Sequence, residues 1–167
     1  MTNKDKVHNF GFYSDVPRDF TGCCHIGGDI VFYLNGLFHR EDGPAIQKRH
    51  GTKEWWFVGK LHREGAPAIE FSNGDKQWCK DGKAHREDGP AIESVNGDKS
   101  WYKNGKLHRE DGPAIELVDG NKLWHQNGKL HREDGPAVKW ADGRKLWYID
   151  NNHVSEEIFN EKKNAKF

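Results

Sequence analysis

From Trp101 to Leu123 the chain reads W-Y-K-N-G-K-L-H-R-E-D-G-P-A-I-E-L-V-D-G-N-K-L, and this 23-residue unit is written five times in register. His39, His62, His85, His108 and His131 keep that spacing without slippage, as do Trp55, Trp78, Trp101, Trp124 and Trp147. The tracks Arg40 through Arg132, Glu41 through Glu133, Pro44 through Pro136 and Ala45 through Ala137 stay in step, together with Ile46, Ile69, Ile92, Ile115 and Val138. A fixed period of this length marks a repeat architecture, in which a single unit cannot bury enough apolar surface and neighbours must stack.

Two glycine dipeptides punctuate the unit, Asn104-Gly105 and Asp119-Gly120. Both are signals for two-residue hairpin turns with positive φ, so the short flanks read as strands. Such turns pair Tyr102 with Leu107, Lys103 with Lys106, Leu117 with Lys122 and Ile115 with Trp124. The expectation is a cross-strand row Ile115, Trp124, His131, with Ala114, His125 and Leu130 on the opposite face and the Trp row as core. The E-D-G-P segment reads as a corner, since proline fixes φ and withholds a donor there. Its aspartates Asp42, Asp88, Asp111 and Asp134 are expected to cap the Gly-Pro-Ala backbone. One corner departs, Arg63-Glu64-Gly65-Ala66-Pro67, with Ala66 where the others have glycine.

The fold class predicted is all-β: an elongated antiparallel β-hairpin array, a solenoid, with a non-repeating N-terminal cap and a short C-terminal helix. The expected divisions are residues 1–27 as cap, 28–150 as repeats and 151–167 as C-terminal cap. In the last part Ser155-Glu156-Glu157 reads as a helix N-cap with acids in the first turn, opening a helix over about 155–165.

Lys plus Arg and Asp plus Glu both total 26, so no global charge draws the chain to nucleic acid or anionic lipid. The three cysteines are odd in number, and adjacent Cys23 and Cys24 are poorly placed to bridge each other. A reducing cytoplasmic setting, in a bacterium or an infected host cell, is the expectation. No stretch approaches the roughly 18 apolar residues of a membrane span, and the first residues lead into no apolar signal segment.

The period, the N-G-K-x-H segments at Asn104–His108 and Asn127–His131, and the D-G turn before an aromatic strand resemble the MORN family of hairpin repeats. H-R-E-D-G-P-A stands where a standard MORN unit has H-G-x-G, so the chain is most similar to divergent MORN-like repeats of bacterial, phage and large-virus proteins. The resemblance implies an elongated hairpin array whose roles are protein or lipid attachment and inhibition, antitoxin-like in some cases. It covers roughly residues 28–150 and brings no individual site residue with it.

Five aligned histidines invite a metal, but equivalent atoms of stacked hairpins stand about 10 Å apart, whereas two ligands of one zinc lie within ~4.2 Å. A structural role is expected for them, and no metal or other cofactor. Cys23-Cys24-His25, with His8, lacks ligand spacing and reads as part of the cap. The Arg-Glu-Asp tracks read as ion-pair ladders, since catalysis does not need five copies; no catalytic residue is assigned.

The predicted function is therefore a non-enzymatic protein-interaction scaffold, in one form an inhibitor of a partner complex such as an antitoxin or viral anti-defence protein. Its partner-binding residues are sought where the repeats disagree: Trp56, Phe71, Cys79, Val95, Tyr102, Leu117, His125, Trp140 and Tyr148. The alternative is a module for anionic lipid, a phosphate-bearing ligand or carbohydrate, with Arg40, Arg63, Arg86, Arg109 and Arg132 as anion-binding residues, the lysine track at 53, 76, 99, 122 and 145 beside them. A protein partner is expected, nucleic acid is not, and an open array end offers an edge through which copies can pair.

Overall fold

A computed structural model describes residues 8–164, and the fold is all-β with one short C-terminal helix. The chain divides into two compact units, Met1–Lys83 and Ala84–Phe167. In the first, strands follow the order His8–Phe10, Gly22–Ile26, Asp29–Leu34, Ile46–Gln47, Lys53–Glu54, Ile69–Glu70 and Lys76–Gln77. His8–Phe10 runs parallel to its neighbour, and the other described pairings are antiparallel. Trp56–Phe57 and Lys60–Leu61 form a separate hairpin beside this sheet. In the second unit the sheet runs Ile92–Glu93, Lys99–Ser100, Ile115–Glu116, Lys122–Leu123, Val138–Lys139, Lys145–Ile149 and Asn152–Val154. Tyr102–Lys103 with Lys106–Leu107, and His125–Gln126 with Lys129–Leu130, are its side hairpins.

Each repeat thus makes two hairpins of different kinds. At Asn104-Gly105 both residues have positive φ, 53° and 80°, and the pairs Tyr102–Leu107 and Lys103–Lys106 form as expected. At Asp119-Gly120 only the glycine does, with φ 94°. Its amide donates to the Leu117 carbonyl at 2.9 Å while the Leu117 amide donates to the Asn121 carbonyl at 3.0 Å, so the connection is the three-residue loop Val118–Gly120. The register is therefore one residue shorter than two-residue turns dictate, and Ile115 faces Leu123 instead of Trp124. Because side chains alternate, that single step removes the expected row Ile115, Trp124, His131. The Trp124 amide bonds the Ala137 carbonyl at 2.8 Å instead.

The innermost side chains of the repeats are consequently the alanines, with Ala45, Ala68, Ala91, Ala114 and Ala137 each fully buried, while the tryptophans are only half-buried. The first unit adds a conventional core of Cys24, Ile26, Val31, Tyr33 and Ile46, packed by Phe10, Phe20, Phe38 and Trp56. A 3-10 turn at Tyr13–Asp15 is pinned to it by a polar cluster: the Tyr13 hydroxyl donates to Asp29 at 2.7 Å, and Lys48 Nζ donates to that hydroxyl at 2.9 Å. At the other end Glu156–Asn164 is helical, the Ile158 amide bonding Ser155 Oγ at 3.3 Å, and Phe159 is buried. Among the described residues no helix is long and apolar enough to cross a membrane.

Candidate functional site

Three ladders engage the recurring histidines and arginines and the polar residue three before the aromatic. In the first, each track histidine accepts at Nδ1 a backbone amide from the next side-hairpin turn: Val58 to His39 at 3.1 Å, Asp81 to His62 at 3.2 Å, Asn104 to His85 at 3.1 Å, Asn127 to His108 at 3.1 Å and Asp150 to His131 at 3.2 Å. Acceptance at Nδ1 leaves the ring proton on Nε2, which faces the glutamate two residues on, as in His108–Glu110 at 3.4 Å. In the second, a side-chain oxygen three residues before the aromatic accepts the amide of a loop residue one repeat later. Examples are Arg49 to Asp29 at 2.9 Å, Ser72 to Thr52 at 3.1 Å, Val118 to Asp98 at 2.8 Å and Ala141 to Asn121 at 2.8 Å.

The third ladder is the arginine clamp. Arg109 donates from Nε to Asp111 at 2.9 Å and from Nη1 to Glu116 at 2.9 Å and to the Pro113 carbonyl at 3.3 Å, and its guanidinium lies 4.0 Å from the Trp101 ring centroid. Arg40 stacks likewise on Phe32 at 4.0 Å, Arg63 on Trp55 at 3.8 Å and Arg132 on Trp124 at 4.1 Å. Arg63, Arg86, Arg109 and Arg132 thus bond the proline carbonyl of their corner, and Asp42, Asp88, Asp111 and Asp134 hold a guanidinium. The side-chain hydrogen bond from arginine keeps Asp42, Asp88 and Asp111 below the usual carboxylate range. A β-carbon on Gly112 would stand 2.9 Å from Arg109 Cζ, which explains the corner glycine: it makes room for the clamp and does not supply positive φ. Where Ala66 replaces it, the preceding Gly65 takes φ 69° and no aspartate is present to draw Arg63 in.

Between successive corners open crevices form, floored by tryptophan. One of about 810 Å³ is lined by Trp101, Lys103, Glu87, Asp88, Glu110 and Asp111, among others. Another of about 440 Å³ has Trp124 and Gln126 in the corresponding places, and one of about 650 Å³ in the first unit has Trp55 and Phe57. Their rims are acidic: Glu87 and Asp88 are each 84% exposed, against 22% for Arg86 between them and the floor.

The variable residues named from the sequence separate by burial. Phe71 and Val95 are exposed; Trp56, Tyr102, Leu117, Trp140 and Tyr148 are half-buried; Cys79 and His125 are buried and present no surface to a partner. Arg40, Arg63, Arg86, Arg109 and Arg132 are each drawn toward their own corner and are largely covered there. Val118, which also varies among the copies, is exposed on a loop, and two further apolar residues reach solvent at a turn tip, Phe57 and Val58. For Phe57 and Val58 the signal was present in the sequence as an apolar residue where other copies carry Lys, Asn or Asp.

Burial pushes the Cys24 thiol up to about 11 and raises Cys23 and Cys79 as well, which disfavours thiolate and hence nucleophilic chemistry at neutral pH. Among the described residues no three His, Cys, Asp or Glu side chains converge to hold a metal. No protein-family model matches the chain, and no curated protein is significantly similar to it.

Proposed function

We propose that the chain is a non-enzymatic protein-interaction scaffold, and that inhibition of a partner complex, antitoxin-like or anti-defence, is the form its MORN-like repeat suits. The observation that carries this reading is the division of labour between repeating and varying residues. The histidines and arginines that recur in every copy are occupied with turn amides, with carboxylates or with an aromatic ring. Among the apolar side chains left in solvent, Phe71, Val95 and Val118 stand at positions where the copies differ. Rigid, spent frame positions beside individual exposed ones are what recognition of one partner needs, and what repeated catalysis does not.

The test is capture from the native host with the full chain as bait, quantified against a variant in which Phe71, Val95 and Val118 are serine. A stoichiometric protein recovered by the first and reduced by the second supports the reading. Recovery of no specific protein by either would overturn it.

One observation favours a second reading, an anion-binding face. Across the second sheet the cross-strand neighbours Glu93, Lys99, Glu116 and Lys122 alternate in charge, and then Lys122, Lys139 and Lys145 stand side by side. Like charges directly opposite each other are unfavourable, and a bound phosphate group relieves them. Salt-sensitive binding to heparin that a Lys139→Glu variant loses would support this; binding unchanged in that variant would remove it.

A further inference from the structure

The geometry points to a docking site in the first unit, at the tips of its hairpins, for a partner segment in which apolar side chains are flanked by Lys or Arg; this deepens the interaction reading above and rests on it. The tips repeat with a recognisable chemistry. The residue before the turn is Lys80, Lys103 or Gln126 in three copies, the first turn residue is Asp81, Asn104 or Asn127, and the residue after the glycine is Lys83, Lys106 or Lys129. At the first two tips these become Leu34 with Leu37, and Phe57 with Val58. All four are exposed, at 37%, 45%, 49% and 45% in that order.

They are also contiguous. Leu34 and Leu37 face each other across their turn, and Leu37 Cδ2 lies 3.2 Å from where a β-carbon on Gly59 would stand. The amides of Val58 and Gly59 bond His39 Nδ1 at 3.1 Å and the Phe38 carbonyl at 2.9 Å, which fixes the second tip on the first. The Phe57 ring centroid lies 4.8 Å from that of His39.

Val58 is held at φ 45°, in the left-handed region that Asn35, Asp81, Asn104 and Asn127 occupy at the same place in other turns. A β-branched residue there is strained, and asparagine fills the position without that penalty. Folding gives no reason for valine at this tip, whereas an apolar contact with a partner does.

Charge chooses among occupants. Phe57 walls the crevice rimmed by Glu41, Asp42 and Glu64, and Glu41 and Asp42 are 80% and 81% exposed. In the corresponding crevice of the second unit Lys103 stands in the place of Phe57, opposite Lys106. The lining of this crevice sets three carboxylates, Glu41, Asp42 and Glu64, against two guanidiniums, Arg40 and Arg63, which leaves one negative charge uncompensated within it. A cationic, apolar segment supplies both the missing charge and cover for the four side chains.

The experiment titrates the full chain into three fluorescein-labelled 12-residue peptides: Leu and Phe alternating with Lys, the same with Glu for Lys, and the same with Ser for Leu and Phe. The first should bind at least tenfold more tightly than the other two. A Phe57→Lys/Val58→Asn variant, which restores the chemistry of the other copies, should lose that binding at least tenfold while its urea midpoint holds or rises, so that unfolding is not the cause. Equal binding of the Glu peptide, or full binding by the variant, overturns the site. So does a wild-type chain that dimerises in light scattering and becomes monomeric in the variant, since the occupant is then a second copy. Binding lost instead on serine substitution of Phe71, Val95 and Val118 overturns this site but leaves the scaffold reading standing, whereas capture of no partner at all removes both.

Discussion

Gly112→Ala should destabilise the second unit, and Asp111→Gly should largely repair it. The added methyl would stand 2.9 Å from Arg109 Cζ, closer than β-carbons approach other heavy atoms, so the guanidinium must leave the Trp101 ring or the corner must shift. Overpacking of this kind costs ~1–3 kcal/mol. The corner at Arg63–Pro67 shows the alternative: alanine is accommodated there because Gly65 takes φ 69° and no aspartate pulls the arginine across it. The pair Asp111→Gly/Gly112→Ala recreates that corner. Since the two residues share one partner, the cycle should show a favourable coupling of about 1 kcal/mol or more, read from urea unfolding followed by tryptophan fluorescence and circular dichroism. Additivity to within ~0.5 kcal/mol, or no loss in Gly112→Ala, would refute the clamp as the reason for the corner glycine.

His125 is buried with Nδ1 unpartnered, and burial lowers its pKa against the opposing hydrogen bond to Leu123. The folded ring therefore resists a proton that the unfolded one takes: the stability is present above the ordinary histidine range and is lost as pH falls through the depressed folded value. His125→Tyr, the residue of two other copies, should add roughly 1 kcal/mol at neutral pH and more at pH 5, measured as urea midpoints at both. At Asp29 burial works to raise the pKa, but hydrogen bonds from the Arg49 amide, Tyr13 and Lys48 outweigh it and the net shift is down. That contribution is present above the ordinary aspartate pKa and lost as pH falls through the folded value, so Asp29→Asn should lower the melting temperature at pH 7 and flatten the acid limb of its profile. Val58→Asn alone should raise stability by about 1 kcal/mol, visible as a higher urea midpoint. Lys139→Glu restores the glutamate that receives the clamp in Glu70, Glu93 and Glu116, and should raise thermal stability by a few tenths of a kcal/mol or more.

The period and the Asn-Gly turns were legible in the sequence because their chemistry is local: two residues that both need positive φ leave one solution. Asp119-Gly120 looked alike and is not, because Asp-Gly serves equally a three-residue loop whose first residues are right-handed, and only the cross-strand bond Leu117–Asn121 tells the two apart. From that one residue follows the misplacement of the core, since tryptophan at every period suggests a buried row while the correct register buries Ala45 through Ala137. The arginine clamp was hidden for another reason. A ring and a guanidinium that meet face to face are eight residues apart in the chain, joined by no turn rule or periodicity of one element. Variation among copies pointed to Phe71 and Val95, which are exposed, but it also pointed to Cys79 and His125, which are buried. A varying residue with a buried side chain is packing its neighbour, and burial is not written in the column.

The latches between repeats have a kinetic corollary. Amides reach acceptors 19 or 20 residues away, as in Asn127 to His108 and Val118 to Asp98, and this loop length is the same wherever the pattern occurs. Lengthening the chain by whole copies adds contacts of that same short span, so the mean separation of contacting residues stays fixed while its ratio to chain length falls. Folding time in such a chain is set by closing one loop of about twenty residues and then zipping outward, and it should be nearly independent of copy number.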